Sequence, residues 1–482
     1  MIFRRLLCAL GFYCFSFSVF SSSPVVLNEQ FLKSLDLSLI PTAQKSSLGE
    51  IGSRLNKSLF EEKFSTKFNL SLNYGEDKSR QLNRFVPVTS PTKMARLGFQ
   101  KNTIYGASLE TNILAEQFSN NFLTRSTTVG AELKIGLDLY KDIFGRSTRK
   151  KLKNLSNEEK VKEFESRIFD NQIKINFLKL YWSLVANQES INITQKLIEQ
   201  AKKQVRVTEE KVRNSVSDKG TLARMKSILS SRQGSLNSLH YQKSNILRSF
   251  RELIPSLSDQ EIVLGKYNIT KTIGELFKCT DHIEKFSTAP LDETYFDDIS
   301  KLLQENSIRE KALSNIYDDV DFKLIAQTRV VGKDFSYDEG LQNLNDDPRL
   351  VTQVGIQFSA PIGPGFKKTA QLMNQNAALK GDIIRDDTRA KLNAFHIEIL
   401  RSVKVLKKAL KNQNENTVSL KESLLSSRLK FSQARIGIEQ LVGEEDAYFV
   451  SELNNIGTNL SIIHTMLDYY SVFNLTECSL KN

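Results

Sequence analysis

The chain has 482 residues, with 67 Lys and Arg against 55 Asp and Glu, a net charge of +12. Apolar residues make up 40%, while Gly (22) and Pro (9) are sparse, which argues against a linker-rich or disordered chain. Four His and four Cys are too few for a structural zinc array, and the moderate positive charge demands no nucleic-acid partner.

The first residues read as a secretory signal peptide, 1–23. Arg4 and Arg5 precede an uncharged run, Leu6 to Phe20, and Ser21 to Ser23 supply small residues for cleavage. The run is too short to span a bilayer as a helix. Cys14 follows the bulky Phe12 and Tyr13, unlike a lipoprotein cysteine. Removal of this segment lowers the net charge to +10 and leaves two cysteines, Cys279 and Cys478. No other stretch is long and apolar enough for a transmembrane helix.

A first repeat is expected over residues 24–280, opening with a helix at about Leu32 to Phe60. Phe64, Thr66, Phe68, Leu70, Leu72 and Tyr74 then alternate, predicting a strand near 64–74. The long stretch that follows, Gly75 to Ser126, alternates again at Tyr105, Ala107, Leu109, Thr111 and Ile113. An extra hairpin or an ordered surface loop is expected there. From Val129 to Leu139 every odd position is apolar, predicting a strand near 127–139 with one apolar and one wet face. That run has about the length of a strand crossing an outer membrane, ~9–11 residues. An ordinary soluble sheet covering a core fits the periodicity equally well.

Residues 156 to 214 contain neither Pro nor Gly. Ser156, with Glu158 and Glu159 behind it, predicts the N-cap. Apolar residues recur at Ile173, Phe177, Leu180, Leu184, Ile191, Ile198, Ala201, Val205 and Val212, mostly in steps of three, four or seven, as in a coiled-coil seam. A helix of about 58 residues spans roughly 87 Å. After a break at Ser215 to Gly220 a return helix runs from about Leu222 to Leu253 and ends at Pro255, completing a helical hairpin at 156–254.

The second repeat, 281–482, has the same order. It predicts a helix at 295–317, strands near 320–330 and 350–360, a helical hairpin at 367–470 broken at Ala434 to Gly437, and a C-terminal tail. The strong strands and the helix breaks are each offset by about 220 residues, which indicates an internal duplication. Four strands cannot close a barrel, and open edges are not tolerated in lipid, so membrane strands here require several copies to close one barrel.

At this point the sequence resembles the TolC family of outer-membrane efflux proteins, over about residues 30 to 472. Phe177-Leu-Lys-Leu-Tyr-Trp-Ser-Leu-Val-Ala186 is similar to the aromatic-rich start of that family's first long hairpin. Val354-Gly-Ile-Gln-Phe-Ser-Ala-Pro-Ile-Gly363 is similar to the strand that leads through Pro into the second. Arg428-Leu-Lys-Phe-Ser-Gln-Ala-Arg-Ile-Gly437 resembles the hairpin-tip motif. The resemblance implies an α+β membrane protein in the outer membrane of a Gram-negative bacterium. Each repeat would give two strands to a trimeric transmembrane β-barrel of twelve strands in outer-membrane lipid, and very long helical hairpins would form a periplasmic α-barrel. It further implies a passive duct for efflux or type I secretion, joined by a periplasmic adaptor (membrane fusion protein) to an inner-membrane pump. No catalytic role and no cofactor are expected. The competing class is a secreted periplasmic coiled-coil structural or adaptor protein without channel activity.

The resemblance also assigns residues. Adaptor contact falls on the hairpin tips Ser215, Val216 and Ser217 and Ala434, Arg435, Ile436 and Gly437. The usual tip glycine is replaced by Val216 and Ala434, so Gly220 and Gly437 are expected to supply the left-handed backbone. A periplasmic pore constriction falls on Glu439, Gln440, Gly443 and Glu444, with Glu445 and Asp446 close by. The family's acidic ring positions align with Gln440 and Gly443, which carry no charge. Cys279 and Cys478 follow the two hairpins, and a disulfide between them is compatible with an oxidising periplasm. His240, His282, His396 and His464 are scattered, and Gly363 to Lys368 lacks the spacing of a phosphate loop.

Overall fold

The structure, a computed structural model, describes residues 24–28, 31, 34, 36–37, 40–78, 90–119, 125–258, 260–285, 288–314, 320–360, 362 and 365–473. The signal segment 1–23 and Cys478, hence the Cys279–Cys478 pairing, lie outside them. In chain order the first half contains β1 (Val25–Leu27), α1 (Pro41–Glu62), β2 (Thr66–Gly75), β3 (Thr92–Asn102), β4 (Ala107–Phe118), β5 (Ser126–Asp138), α2 (Arg146–Arg213), α3 (Lys219–Leu253), β6 (Ile262–Leu264) and α4 (Ile269–Ile283). The second half contains α5 (Tyr295–Ser314), β7 (Asp321–Asp334), α6 (Tyr337–Asp346), β8 (Arg349–Ser359), α7 (Gly365–Ser432) and α8 (Ile438–Val472).

The duplication is explicit in the helices. Each long helix, α2 and α7, has 68 residues, and each return helix, α3 and α8, has 35. Of the helix expected at about Leu32 to Phe60, the described residues give Pro41–Glu62, and the fixed φ and missing N–H of Pro41 suit a first turn. The next start is corrected. The first long helix begins at Arg146 rather than Ser156. Asp142 accepts from the backbone N–H groups of Ser147 and Thr148, both at 2.8 Å, so the first-turn donors are satisfied earlier.

Chain contacts divide the described residues into two units. The helical unit comprises 173–280 and 402–467 with the residues up to Thr42. Its core is aromatic and aliphatic: Phe177 stacks on Phe250 with ring centres 6.4 Å apart, and Tyr181, Trp182, Leu184 and Val185 are buried. Ile193 and Leu197 pack on Phe449, and Val205 and Met225 on Val442. A short parallel pair, β1 with β6, and α4, which carries the half-buried Cys279, complete it.

The sheet unit comprises 43–172 and 281–401 with the residues from Asp468. It holds one antiparallel sheet in the order β2-β3-β4-β5-β7-β8. The four expected strands are there, and the 75–126 stretch takes the hairpin alternative, as two further strands between β2 and β5. Helices α1, α5 and α6, with parts of α2, α4, α7 and α8, make up the rest. Buried His396 bonds the Tyr469 hydroxyl at 3.0 Å, beside a stack of Phe395 on Phe473.

Asp297, on α5, is 1% exposed and faces Lys301 at 2.8 Å and Arg389 at 3.2 Å. Burial alone would raise its carboxyl, but hydrogen bonds from Lys301 and Arg389 outweigh that and hold it below the usual carboxylate range. A lowered native value stabilises the fold above the ordinary carboxylate value and is lost as pH falls through it. The unfolding midpoint is therefore expected to stay level from neutrality to about pH 4 and then fall. The Asp297→Asn variant should lack that acid step when melts are compared across pH.

Candidate functional site

The sheet is two-faced, and its register carries each face across all six strands. Leu70, Leu97, Ile113, Ala131, Val330 and Leu350 pair in one row. The adjacent row, Asn69, Gly98, Asn112, Glu132, Arg329 and Val351, points to the opposite side. On the first face the only charged residues are Lys93, Lys101 and Asp334, all at strand ends. Yet its large apolar side chains lie open: Phe68, Leu72, Ile113, Leu133, Val354 and Phe358 are all exposed, Leu72 by 71%. An exposed apolar face of this extent, charged only at its strand ends, has no place against water.

The second face is polar and cross-linked. Glu132 accepts from Arg329 at 2.6 Å, from Gln327 at 2.9 Å and from Asn112 at 3.2 Å. Gly98 is required there, because a Cβ would lie 2.0 Å from the Asn112 Oδ1. The edge strands β2 and β8 have no second partner among the described residues, and every residue of β8 is exposed. Among the described residues no helix is long and apolar enough to cross a membrane. Nor does any group of three or more His, Cys, Asp or Glu side chains form a metal-binding cluster among them.

The second candidate region is the pair of hairpin tips. Ser215, Val216 and Ser217 join α2 to α3, and Ala434, Arg435, Ile436 and Gly437 join α7 to α8. Both turns end the long helix in the same way. Val216 N–H donates to the Lys211 carbonyl and Ser215 N–H to that of Val212; Arg435 and Ala434 repeat this with Lys430 and Phe431. This is the Schellman arrangement, with its left-handed residue at Ser215 (φ 58°) and Ala434 (φ 55°). The expectation that Gly220 and Gly437 take that conformation is corrected: the left-handed turn at Ser215 and Ala434 is what lets the next N–H, of Val216 or Arg435, reach the carbonyl five positions back.

A left-handed L-residue costs roughly 1–2 kcal/mol, partly offset by the greater unfolded freedom of Gly, about 0.4–1 kcal/mol. Ser215→Gly and Ala434→Gly are each expected to stabilise the chain by about 0.5–1 kcal/mol, read as a rise in denaturant midpoint. The structure also brings the two tips together. Arg224 pairs with Glu439 at 2.9 Å, and the Lys211 ammonium lies 5.0 Å from the centre of the Phe431 ring.

The residues that the resemblance assigns to a constriction divide by helix face. Gln440 and Gly443 lie exposed on α8, and Glu439 is exposed beside Arg224. Glu444 is half-buried and accepts from the Ser423 hydroxyl at 2.8 Å. Glu445 turns fully inward, 4% exposed, and accepts from Gln204 at 2.6 Å and Arg428 at 3.2 Å. Asp446 holds buried Arg232 at 2.6 Å, and Arg232 also donates to the Leu197 carbonyl.

Solved structures share this architecture. The Campylobacter jejuni CmeC outer membrane channel matches with a TM-score of 0.63 at 13% identity, over 97% of this chain and 93% of that one. The outer membrane protein VceC from Vibrio cholerae matches with a TM-score of 0.63 at 12% identity, over 90% and 93%. The Neisseria gonorrhoeae MtrE outer membrane channel gives 0.62 at 12% identity, over 92% and 88%. The chain has the fold of these outer-membrane channels. No family model and no curated protein matches the sequence. The channel fold accounts for the pairing of a two-faced sheet with duplicated long helical hairpins, an arrangement that a water-soluble sheet would not need.

Proposed function

We propose that the protein is the outer-membrane channel of a tripartite efflux or type I secretion system. It acts as a homotrimeric, passive conduit in a Gram-negative outer membrane, with the helical hairpins in the periplasm. The single observation that carries this reading is the apolar face that runs through six paired strands, largely exposed and with its charges confined to strand ends, while the opposite face is polar. Lipid is the surrounding that such a face matches. The edge strands β2 and β8, each open on one side among the described residues, run antiparallel to each other, so copies joined head to tail through them close a ring with no edge left over. The matched channels named above support the same reading.

The tips Ser215 to Ser217 and Ala434 to Gly437 are assigned to a periplasmic adaptor that couples the duct to an inner-membrane pump. Glu439, Gln440, Gly443 and Glu444 are assigned to a periplasmic constriction. The decisive experiment is fractionation of the expressing cell followed by electrophoresis with and without heating. Heat-modifiable trimers in the outer membrane support the channel; a soluble periplasmic monomer sinks it. Single-channel recording then tests the constriction. Glu439→Gln and Glu444→Gln are expected to weaken block by multivalent cations, and unchanged block in both removes the acidic ring.

A further inference from the structure

The hairpin of β3 and β4 lies inside the sheet, between β2 and β5, and not at its margin. Three observations tie it to the wall of the pore. The apolar face passes through it without a break, since Leu70 pairs with Leu97, Leu97 with Ile113 and Ile113 with Ala131. Its only charges on that face, Lys93 and Lys101, stand at the ends of β3, where long side chains reach the polar boundary. Its opposite face shares the cross-strand charges, with Arg96 3.6 Å from Glu116 and Lys134 of β5 3.9 Å from Glu110.

The turn between the two strands is built in as well. Gly106 (φ 75°) accepts from Asp138 N–H at 2.9 Å, and a Cβ on it would meet the Asp142 carbonyl oxygen at 2.0 Å. The hairpin therefore closes against the segment that leads into α2, as a wall strand does and a surface loop does not.

We infer that this inserted hairpin widens the membrane pore: three copies of six strands close an eighteen-stranded barrel in place of twelve, which suits bulky, water-soluble cargo. The inference rests on the trimeric channel proposed above. Strands about 4.8 Å apart, tilted by about 40°, close a backbone ring roughly 36 Å across for eighteen strands and roughly 24 Å for twelve. Barrels of sixteen to eighteen strands hold an open aqueous channel. Here the polar face, with its mixed charges, lines it.

The test is electron microscopy of the full-length protein in lipid nanodiscs, beside a variant in which residues 76–125 are replaced by an Asn-Gly turn. The replacement is feasible because Gly75 and Ser126 end their strands at the same level, through Thr92 and Phe118. Joined directly, β2 and β5 are antiparallel and put Phe68 opposite Leu133 on the apolar face. The expected result is a three-copy ring about 36 Å across that contracts to about 24 Å in the variant.

A second measurement covers a variant that fails to fold. Tryptophan placed by Ile113→Trp is expected to be quenched by brominated lipid, and by Gln100→Trp on the polar face to be unaffected, over the constant background of buried Trp182. A three-copy ring of about 24 Å in the full-length protein, or an unquenched Ile113→Trp, overturns the inference and leaves the channel standing. A two-copy ring overturns the eighteen-strand count. Absence of any membrane ring removes the channel reading, and the inference with it.

Discussion

Leu133→Arg is expected to remove most assembled protein from the outer membrane. Leu133 lies midway along β5, on the apolar face, between Thr111 of β4 and Thr328 of β7. It is 42% exposed within the chain, so no protein core shields a substituent there. Arginine at the middle of a lipid-facing strand costs about 2–4 kcal/mol, and the cost recurs in every copy of the ring. One residue further on, Lys134 points to the polar face and faces Glu110 at 3.9 Å. Lys134→Arg keeps that charge and its partner, so it is expected to be neutral within about 0.5 kcal/mol. The measurement is the yield of heat-modifiable oligomer in outer membranes, with the urea midpoint of what remains. Equal yields for the two variants would mean that Leu133 does not meet lipid.

Arg428→Met is expected to destabilise the helical unit by about 2–3 kcal/mol. Glu445 is nearly inaccessible to water and, among the described residues, receives only Gln204 and Arg428. Removing the cation leaves a buried carboxylate with a single amide donor. Loss of one partner of a fully buried pair costs about 3–5 kcal/mol; the 40% exposure of Arg428 lowers the figure because water screens its share. Adding Glu445→Gln to the same variant removes the stranded charge and is expected to restore most of the loss. A double-mutant cycle followed by circular dichroism in denaturant separates the two. Additive losses would show that Arg428 and Glu445 do not act together. The same pairing turns Glu445 inward within the chain, and Glu439 and Glu444 remain the acidic residues of the proposed constriction.

Much of the fold was legible in local pattern. Alternation at Val129 to Leu139 and at Leu350 to Ala360 marked two strands and told which residues share a face, because successive side chains on a strand point to opposite sides. The absence of Pro and Gly over residues 156 to 214 marked a helix of unusual length, and the matched breaks marked its duplication. Boundaries were less legible. Asp142 caps α2 from a turn whose geometry depends on Phe144 and Gly145 at positive φ, and nothing in the periodicity signals that.

The inserted hairpin was legible only in part. β4 alternates clearly at Leu109, Thr111 and Ile113, but β3 carries Met94 on its polar face and Lys at both ends of its apolar one. The helices α4 and α6, and the parallel pair of β1 with β6, gave no signal strong enough to read. They are short, and long-range contacts hold them in place. Gly332 of β7, for example, lies so close under α6 that a Cβ on it would be 2.1 Å from the Gly340 carbonyl oxygen.

The sequence by itself determined the units of this protein: strands with one apolar face, two very long helices with shorter return helices, and a repeat of about 220 residues. These follow from periodicity and from where Pro and Gly stand, and each is a property of neighbouring residues. Tertiary structure alone decided which strands pair, that the extra hairpin joins the sheet, and that Glu445 faces inward while Gln440 faces out. Those outcomes rest on hydrogen bonds and ion pairs between residues far apart in the chain, such as Glu132 with Arg329 and Gln204 with Glu445. Helix rotation and strand register set them, and a local pattern fixes neither.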